Sequence, residues 1–159
     1  MTDPPVKVVD KVYIGSLNTA MNNNLSEYGI KLIINLSGAR YHSDIKKIDF
    51  DLSDTLVEHK DTTNYIKTFA TAVAALEVGL VNGSVLVHCA AGINRSAMCI
   101  AMYCATIGYT YKMIVHRLAS ANKKRDLPVL TNISFDYMLK CYCDFTMFIK
   151  HRHIMLKNI

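Results

Sequence analysis

Long apolar runs are missing from this chain of 159 residues. Its least polar stretch, Ala97 to Ile107, is too short and too interrupted to cross a bilayer, which excludes a membrane helix there. The opening MTDPPVKVVD lacks the apolar core of a secretory signal, so a cytosolic address is expected. A disulfide framework is missing too: five cysteines, an odd number without framework spacing, read as reduced thiols. In such a compartment the triplets Asn35-Leu-Ser37 and Asn94-Arg-Ser96 carry no glycosylation meaning. No repeat, linker or low-complexity tract divides the chain, and a single domain over residues 1–159 is expected.

What is present is ordinary for a folded domain, with 51% hydrophobic and 19% charged residues and enough length to bury a core. The net charge of +5 suits phosphorylated or otherwise acidic substrates and equally a solvated surface.

Short runs rich in Val and Ile, Val12 to Ile14 and Lys31 to Asn35, read as buried strands joined by a polar bridge with a short helix. In KKIDFDLSD, Ile48, Phe50 and Leu52 alternate with polar residues, which predicts a third strand ending near Asp54. Tyr65, Ile66, Phe69, Val73, Leu76 and Leu80 recur at helical spacing, with Asp61 or Thr62 as cap and Asn82-Gly83 as stop. Ser84 to His88 reads as a strand. RSAMCIAMYCATIG then reads as a small-residue helix ended by Gly108, and TYKMIVHRLASAN as a helix opened by Thr110. After the basic KKRDLPVL comes a final helix from about Asn132, with Phe135, Met138, Leu139 and Tyr142 on one stripe. Strands alternating with helices predict an α/β fold, a mostly parallel central sheet flanked by helices.

The densest chemistry lies in VLVHCAAGINRSA, Val85 to Ala97. A strand, a tight loop and a helix N-terminus make an anion site, because the first turn has unpaired N–H groups and the positive end of the helix dipole. The small residues Ala90, Ala91 and Gly92, followed by Ile93 and Asn94, let backbone N–H groups curl around a tetrahedral oxyanion. Arg95 supplies two parallel hydrogen bonds to phosphoryl oxygens, and the same positive surroundings favour a thiolate at Cys89, a nucleophile facing phosphorus. A buried structural cysteine is the bland alternative, and the Cys-x5-Arg spacing between strand and helix weighs against it.

VHCAAGINRSA resembles the His-Cys-x5-Arg-Ser/Thr signature of the cysteine-dependent protein phosphatases, and the short domain resembles the dual-specificity phosphatases, whose fold is that of the protein tyrosine phosphatases. VYIGSLNTAMN, GIKLIINLSG and NISFDYML are similar to other segments of that family, so the likeness runs through nearly the whole chain. The loop is also similar to that of the poxvirus members, which carry valine where Ile93 stands. A viral source, with the host cytoplasm or the virion as location, is compatible with it.

The resemblance implies that Cys89 attacks phosphorus to give a phosphocysteine while Arg95 and the backbone from Ala90 to Arg95 hold the equatorial oxygens. It implies that Ser96 eases departure of the sulfur and that His88 orients the loop. Asn132 supports the loop through hydrogen bonds; as a plain helix cap it has a structural reading as well. The leaving oxygen needs a proton, and the family pattern lands the acid on Asp54, with Asp51 and Asp61 as rivals. The pocket is expected to be shallow enough for phosphoserine and phosphothreonine as well as phosphotyrosine, with phosphorylated proteins as partners, no cofactor and no metal. Cys141, Cys143, His151 and His153 fit no zinc spacing, and Lys123, Lys124 and Arg125 read as a solvated basic face or an attractor for acidic substrates. Two other readings stay open: an RNA 5′-triphosphatase using the same loop, and a phosphate-binding module whose catalysis has lapsed.

Overall fold

The structure, a computed structural model, describes residues 3–157. Five strands form one sheet, β1 (Val6–Val9), β2 (Val12–Gly15), β3 (Ile30–Asn35), β4 (Lys46–Asp49) and β5 (Ser84–His88), in the order β1-β2-β5-β3-β4. β2, β5, β3 and β4 run parallel; only β1 pairs antiparallel with its neighbour. The helices are α1 (Leu17–Asn22), α2 (Thr62–Leu80), α3 (Arg95–Thr106), α4 (Tyr111–Lys123) and α5 (Ile133–Lys157).

The central strands are apolar at nearly every position because both faces are covered. Leu32, Ile34, Val85 and Val87 join a core with residues of α2 to α5. Ile33 and Leu86 point the other way, into a smaller cluster with Ala20 and Leu25. α3 lies in the middle of the helical layer and is buried on most of its surface. That explains its alanines and cysteines: small side chains let five neighbouring elements approach. Phe135 of α5 meets Phe69 of α2 edge-on, with ring centroids 5.4 Å apart and both side chains fully buried.

One strand goes unread in the sequence, and two expectations need correction. The opening segment contains strand β1, whose valines at 6, 8 and 9 are buried while Lys7 is exposed; a single polar residue is too little alternation to recognise in the sequence. The third predicted strand ends at Asp49 rather than near Asp54. Its last ladder contact is Phe50 N–H to Asn35 O, 2.8 Å, after which Leu52 is buried from a loop whose carbonyl turns towards Arg95. At the head of α2 neither Asp61 nor Thr62 makes the expected side-chain cap, because a tight helical turn at His59–Asp61 leads directly into the helix.

Parallel strands β2, β5 and β3 all end on one side, and the β5–α3 loop sits there between β2 and β3, the region where α/β sheets hold ligands.

Candidate active site

Between Cys89 and Ile93 every backbone carbonyl accepts a hydrogen bond. Cys89 O faces Nδ1 of its neighbour His88 at 3.2 Å, and Ala90 O accepts from Leu17 N at the start of α1, 3.1 Å. Ala91 O accepts from Arg125 Nη2 at 3.1 Å. Gly92 O accepts from Asn122 Nδ2 at 2.9 Å and Arg125 Nη1 at 3.2 Å, and Ile93 O from Leu130 N at 3.0 Å. A planar trans peptide points its N–H opposite its C=O, so holding five carbonyls on the outside of the turn directs the N–H groups of residues 90–94 to its inside. Gly92 N–H indeed points to Cys89 Sγ at 3.3 Å. Gly92 has φ +75°, and a Cβ there would lie 2.6 Å from Gly15 O, so both conformation and space require glycine.

Arg95 opens α3 and is nearly buried. Its Nη1 is anchored to Leu36 O and Leu52 O, both at 3.0 Å, and more weakly to Ser37 O. Its Nε–H, also buried, has no acceptor among the described residues. A buried guanidinium donor without a partner is costly, and an oxyanion in the loop would satisfy it.

Cys89 ends β5 with 1% of its surface exposed. Burial alone pushes a thiol up, but hydrogen bonds from Ser96 Oγ (3.4 Å), the Ser96 and Gly92 N–H groups and the Arg95 charge outweigh it, and the Cys89 pKa falls below the ordinary thiol value. Cys99 and Cys104, buried in α3 without such donors, are pushed up to about 12. The loop therefore selects one thiol out of three for the thiolate form. His88 is buried behind it. Its Nδ1 donates to the Cys89 carbonyl, so Nε2 accepts from the Tyr41 hydroxyl at 2.7 Å, and burial holds its pKa down at about 4.

Asp54 comes to the loop from the segment after β4. Its Oδ2 accepts from Asn94 Nδ2 at 3.2 Å and its Oδ1 from Asn132 Nδ2 at 3.1 Å, and Oδ2 stands 3.9 Å from Arg95 Nε. Asn132 also caps α5, with Oδ1 accepting from Ser134 N at 3.0 Å, so cap and support coincide. Asp51 lies beside Gly38 and Asp61 at the head of α2; neither side chain is hydrogen-bonded to the loop among the described residues. Cys89, Arg95, Ser96, His88, Asn94, Asn132 and Asp54 are thus gathered in one place, with Ala90 and Ala91 exposed at its mouth. Cys141 and Cys143, by contrast, are on α5, one exposed and the other buried.

Arg125 overturns the reading of Lys123 to Arg125 as one basic face: the two lysines are exposed, but the arginine side chain is 1% exposed and turned into the loop. Sequence reasoning also missed Asn35 and Tyr41. Asn35 Oδ1 accepts from the Ser37 N–H and Oγ, and its Nδ2 donates to Ala39 O, which shapes the turn offering carbonyls to Arg95. An asparagine directly after the apolar run Leu32-Ile33-Ile34 is the one local signal for it.

A family model described as "Dual specificity phosphatase, catalytic domain" matches residues 12–145. A dual specificity protein phosphatase of variola virus is 32% identical over 126 residues, covering 76% of this chain and 70% of that protein. Among solved structures, a mouse putative dual specificity phosphatase complexed with zinc tungstate aligns at TM-score 0.76 and 22% identity, over 91% of this chain and 89% of that one. OH1 from the Orf virus, described as a tyrosine phosphatase with triple substrate specificity, aligns at TM-score 0.63 and 24% identity over 87% of each chain. At these identities the two structures speak for the fold.

Proposed function

The chain belongs to the dual specificity phosphatase family, and we propose that it hydrolyses phosphotyrosine and phosphoserine or phosphothreonine in proteins through a phosphocysteine on Cys89. The observation that carries this reading is the buried Nε–H of Arg95, without an acceptor among the described residues, beside a thiol whose surroundings favour the thiolate.

In this mechanism the phosphoryl group enters the loop with its equatorial oxygens on the inward N–H groups and on Arg95. Cys89 Sγ attacks phosphorus, the P–O bond to the substrate breaks, and the leaving oxygen takes a proton from Asp54. Water, deprotonated by the same carboxylate, then attacks the phosphocysteine; the P–S bond breaks and Ser96 Oγ hydrogen-bonds the departing thiolate. Asn94 and Asn132 aim Asp54 into the site, and His88 fixes the Cys89 peptide. No helix among the described residues is long and apolar enough to cross a membrane. We place the enzyme in the cytoplasm, of a host cell if the source is viral, because its nucleophile must stay reduced.

The test is phosphate release from phosphotyrosine and phosphothreonine peptides and from a 5′-triphosphate RNA under reducing conditions, with Cys89→Ser as control. Release from both peptides, lost in the control, is expected; release from RNA alone would overturn the reading.

A further inference from the structure

Arg125 spends all five of its N–H donors. Nη1 serves Gly92 O and Asn122 Oδ1 (3.2 Å), Nη2 serves Ala91 O and Asp3 Oδ2 (3.0 Å), and Nε serves Asp3 Oδ1 (2.9 Å). Its orientation is therefore set by Asp3, a residue 122 positions away that precedes β1. The same carboxylate accepts hydrogen bonds from Ser16 Oγ and from Thr19 Oγ1 (2.7 Å), the cap and first turn of α1. That turn carries Leu17, whose N–H holds Ala90 O. Asp3 is itself anchored, for its carbonyl accepts from Asn23 Nδ2 at 3.1 Å, and Pro4 and Pro5 limit the backbone that follows.

We propose that Asp3 is a positioning residue for the phosphate loop: one carboxylate clamps Arg125 to α1 and, through both, fixes the carbonyls of Ala90, Ala91 and Gly92. Those three peptides carry the N–H groups of Ala91, Gly92 and Ile93, so the segment before β1 sets the aim of donors that would face the phosphoryl group. Hydrogen bonds from a guanidinium to the outer carbonyls also polarise the inner N–H groups. The carboxylate neutralises the guanidinium, so Arg125 acts through direction rather than net charge. Arg125 bonds keep Asp3 ionised against its burial, down to a pKa of about 2, so the clamp persists throughout the working pH range.

The inference rests on the phosphatase reading for its catalytic meaning, but its test does not need turnover. The rate of Cys89 alkylation by iodoacetamide would be followed against pH, with and without orthophosphate, in the full chain and in Asp3→Ala, Asp3→Asn, Arg125→Lys and the Asp3→Ala/Arg125→Lys double variant. Loss of the clamp is expected to weaken orthophosphate protection by on the order of tenfold and to move the thiol titration upward, with KM for a phosphopeptide rising more than kcat falls. The double variant should be little worse than Arg125→Lys, since both changes break one unit. Unchanged protection and titration in Asp3→Ala, even with a lowered melting temperature, would overturn the proposal. If Asp3→Ala does not fold, Asp3→Asn, which keeps one acceptor, carries the same comparison. Normal orthophosphate protection in the unaltered chain without hydrolysis of any phosphopeptide would instead sink the phosphatase reading and leave the clamp standing.

Discussion

The carboxylate of Asp54 stands 3.9 Å from the Nε of Arg95, beyond a hydrogen bond and well within reach of its charge. Asp54 is held there by two asparagine amides, from Asn94 inside the loop and Asn132 at the head of α5. An anion on Arg95 would sit beside that carboxylate. In the mechanism we propose, this is the position from which Asp54 would give its proton to the leaving oxygen.

Asp54→Asn keeps the hydrogen-bonding shape and removes the proton. It is expected to lower kcat on phosphotyrosine peptides by roughly a hundredfold to a thousandfold. The loss should be much smaller with an aryl phosphate whose leaving group is already acidic. Equal losses on both substrates would mean that Asp54 does not protonate the leaving group.

Ser96 Oγ, 3.4 Å from Cys89 Sγ, is fully buried in the first turn of α3. A hydrogen bond to a charged group is worth about 1.5–3 kcal/mol, so Ser96→Ala should slow turnover by about ten- to a hundredfold. Because a departing thiolate needs the bond most, phosphoenzyme should accumulate and rapid mixing should reveal a burst. A slow first step without a burst would contradict this.

His88 supplies a stability test. Its folded pKa of about 4 lies below the ordinary value of 6.5, so the unfolded chain binds the proton more readily between those values. The contribution is complete above pH 6.5, is lost as pH falls, and is gone near pH 4, amounting to about 3 kcal/mol. Urea unfolding at intervals from pH 7 to pH 4 should show the midpoint falling, and His88→Gln should flatten that fall. A window confined below pH 4 would point to carboxylates such as Asp3 instead.

Local chemistry is legible in the residues themselves, whereas the distant Asp54 and Asn132 are reached only through the family resemblance. Cys89, the small residues after it and Arg95 lie within seven positions, so strand, turn and helix start are written in one stretch. The stripe of Phe135, Met138 and Leu139 was readable for the same reason, since burial on one helix face leaves a period. Asp3, Tyr41 and Arg125 leave no such mark. Each acts on the loop across 33 or more residues, and the packing of α4 against β1 brings Asp3 to Arg125. Phe50 and Leu52 misled for a physical reason: alternation reports burial on one side, and a loop pinned by Arg95 buries one side as a strand does.

Two glycines with nearly the same backbone separate strain from chemistry. Gly92 and Gly29 have φ of +75° and +68°, so alanine at either costs about 1–2 kcal/mol for the left-handed conformation. At Gly29 a Cβ would meet, among the described residues, only Ser84 Oγ, at 3.7 Å, an ordinary contact. At Gly92 it would strike the Arg125 guanidinium and Gly15 O, and a backbone oxygen in β2 has nowhere to go. Gly29→Ala should therefore lower the melting temperature by about 2–8 °C while leaving kcat/KM intact. Gly92→Ala should add to that loss and reduce kcat/KM at least a hundredfold, because the loop must shift and its N–H groups turn away from the phosphoryl oxygens. If both variants kept full activity at a temperature where they are folded, the backbone cradle would not be the phosphate site. Equal activity losses in the two would mean that strain spreads through the fold instead of being confined to the loop.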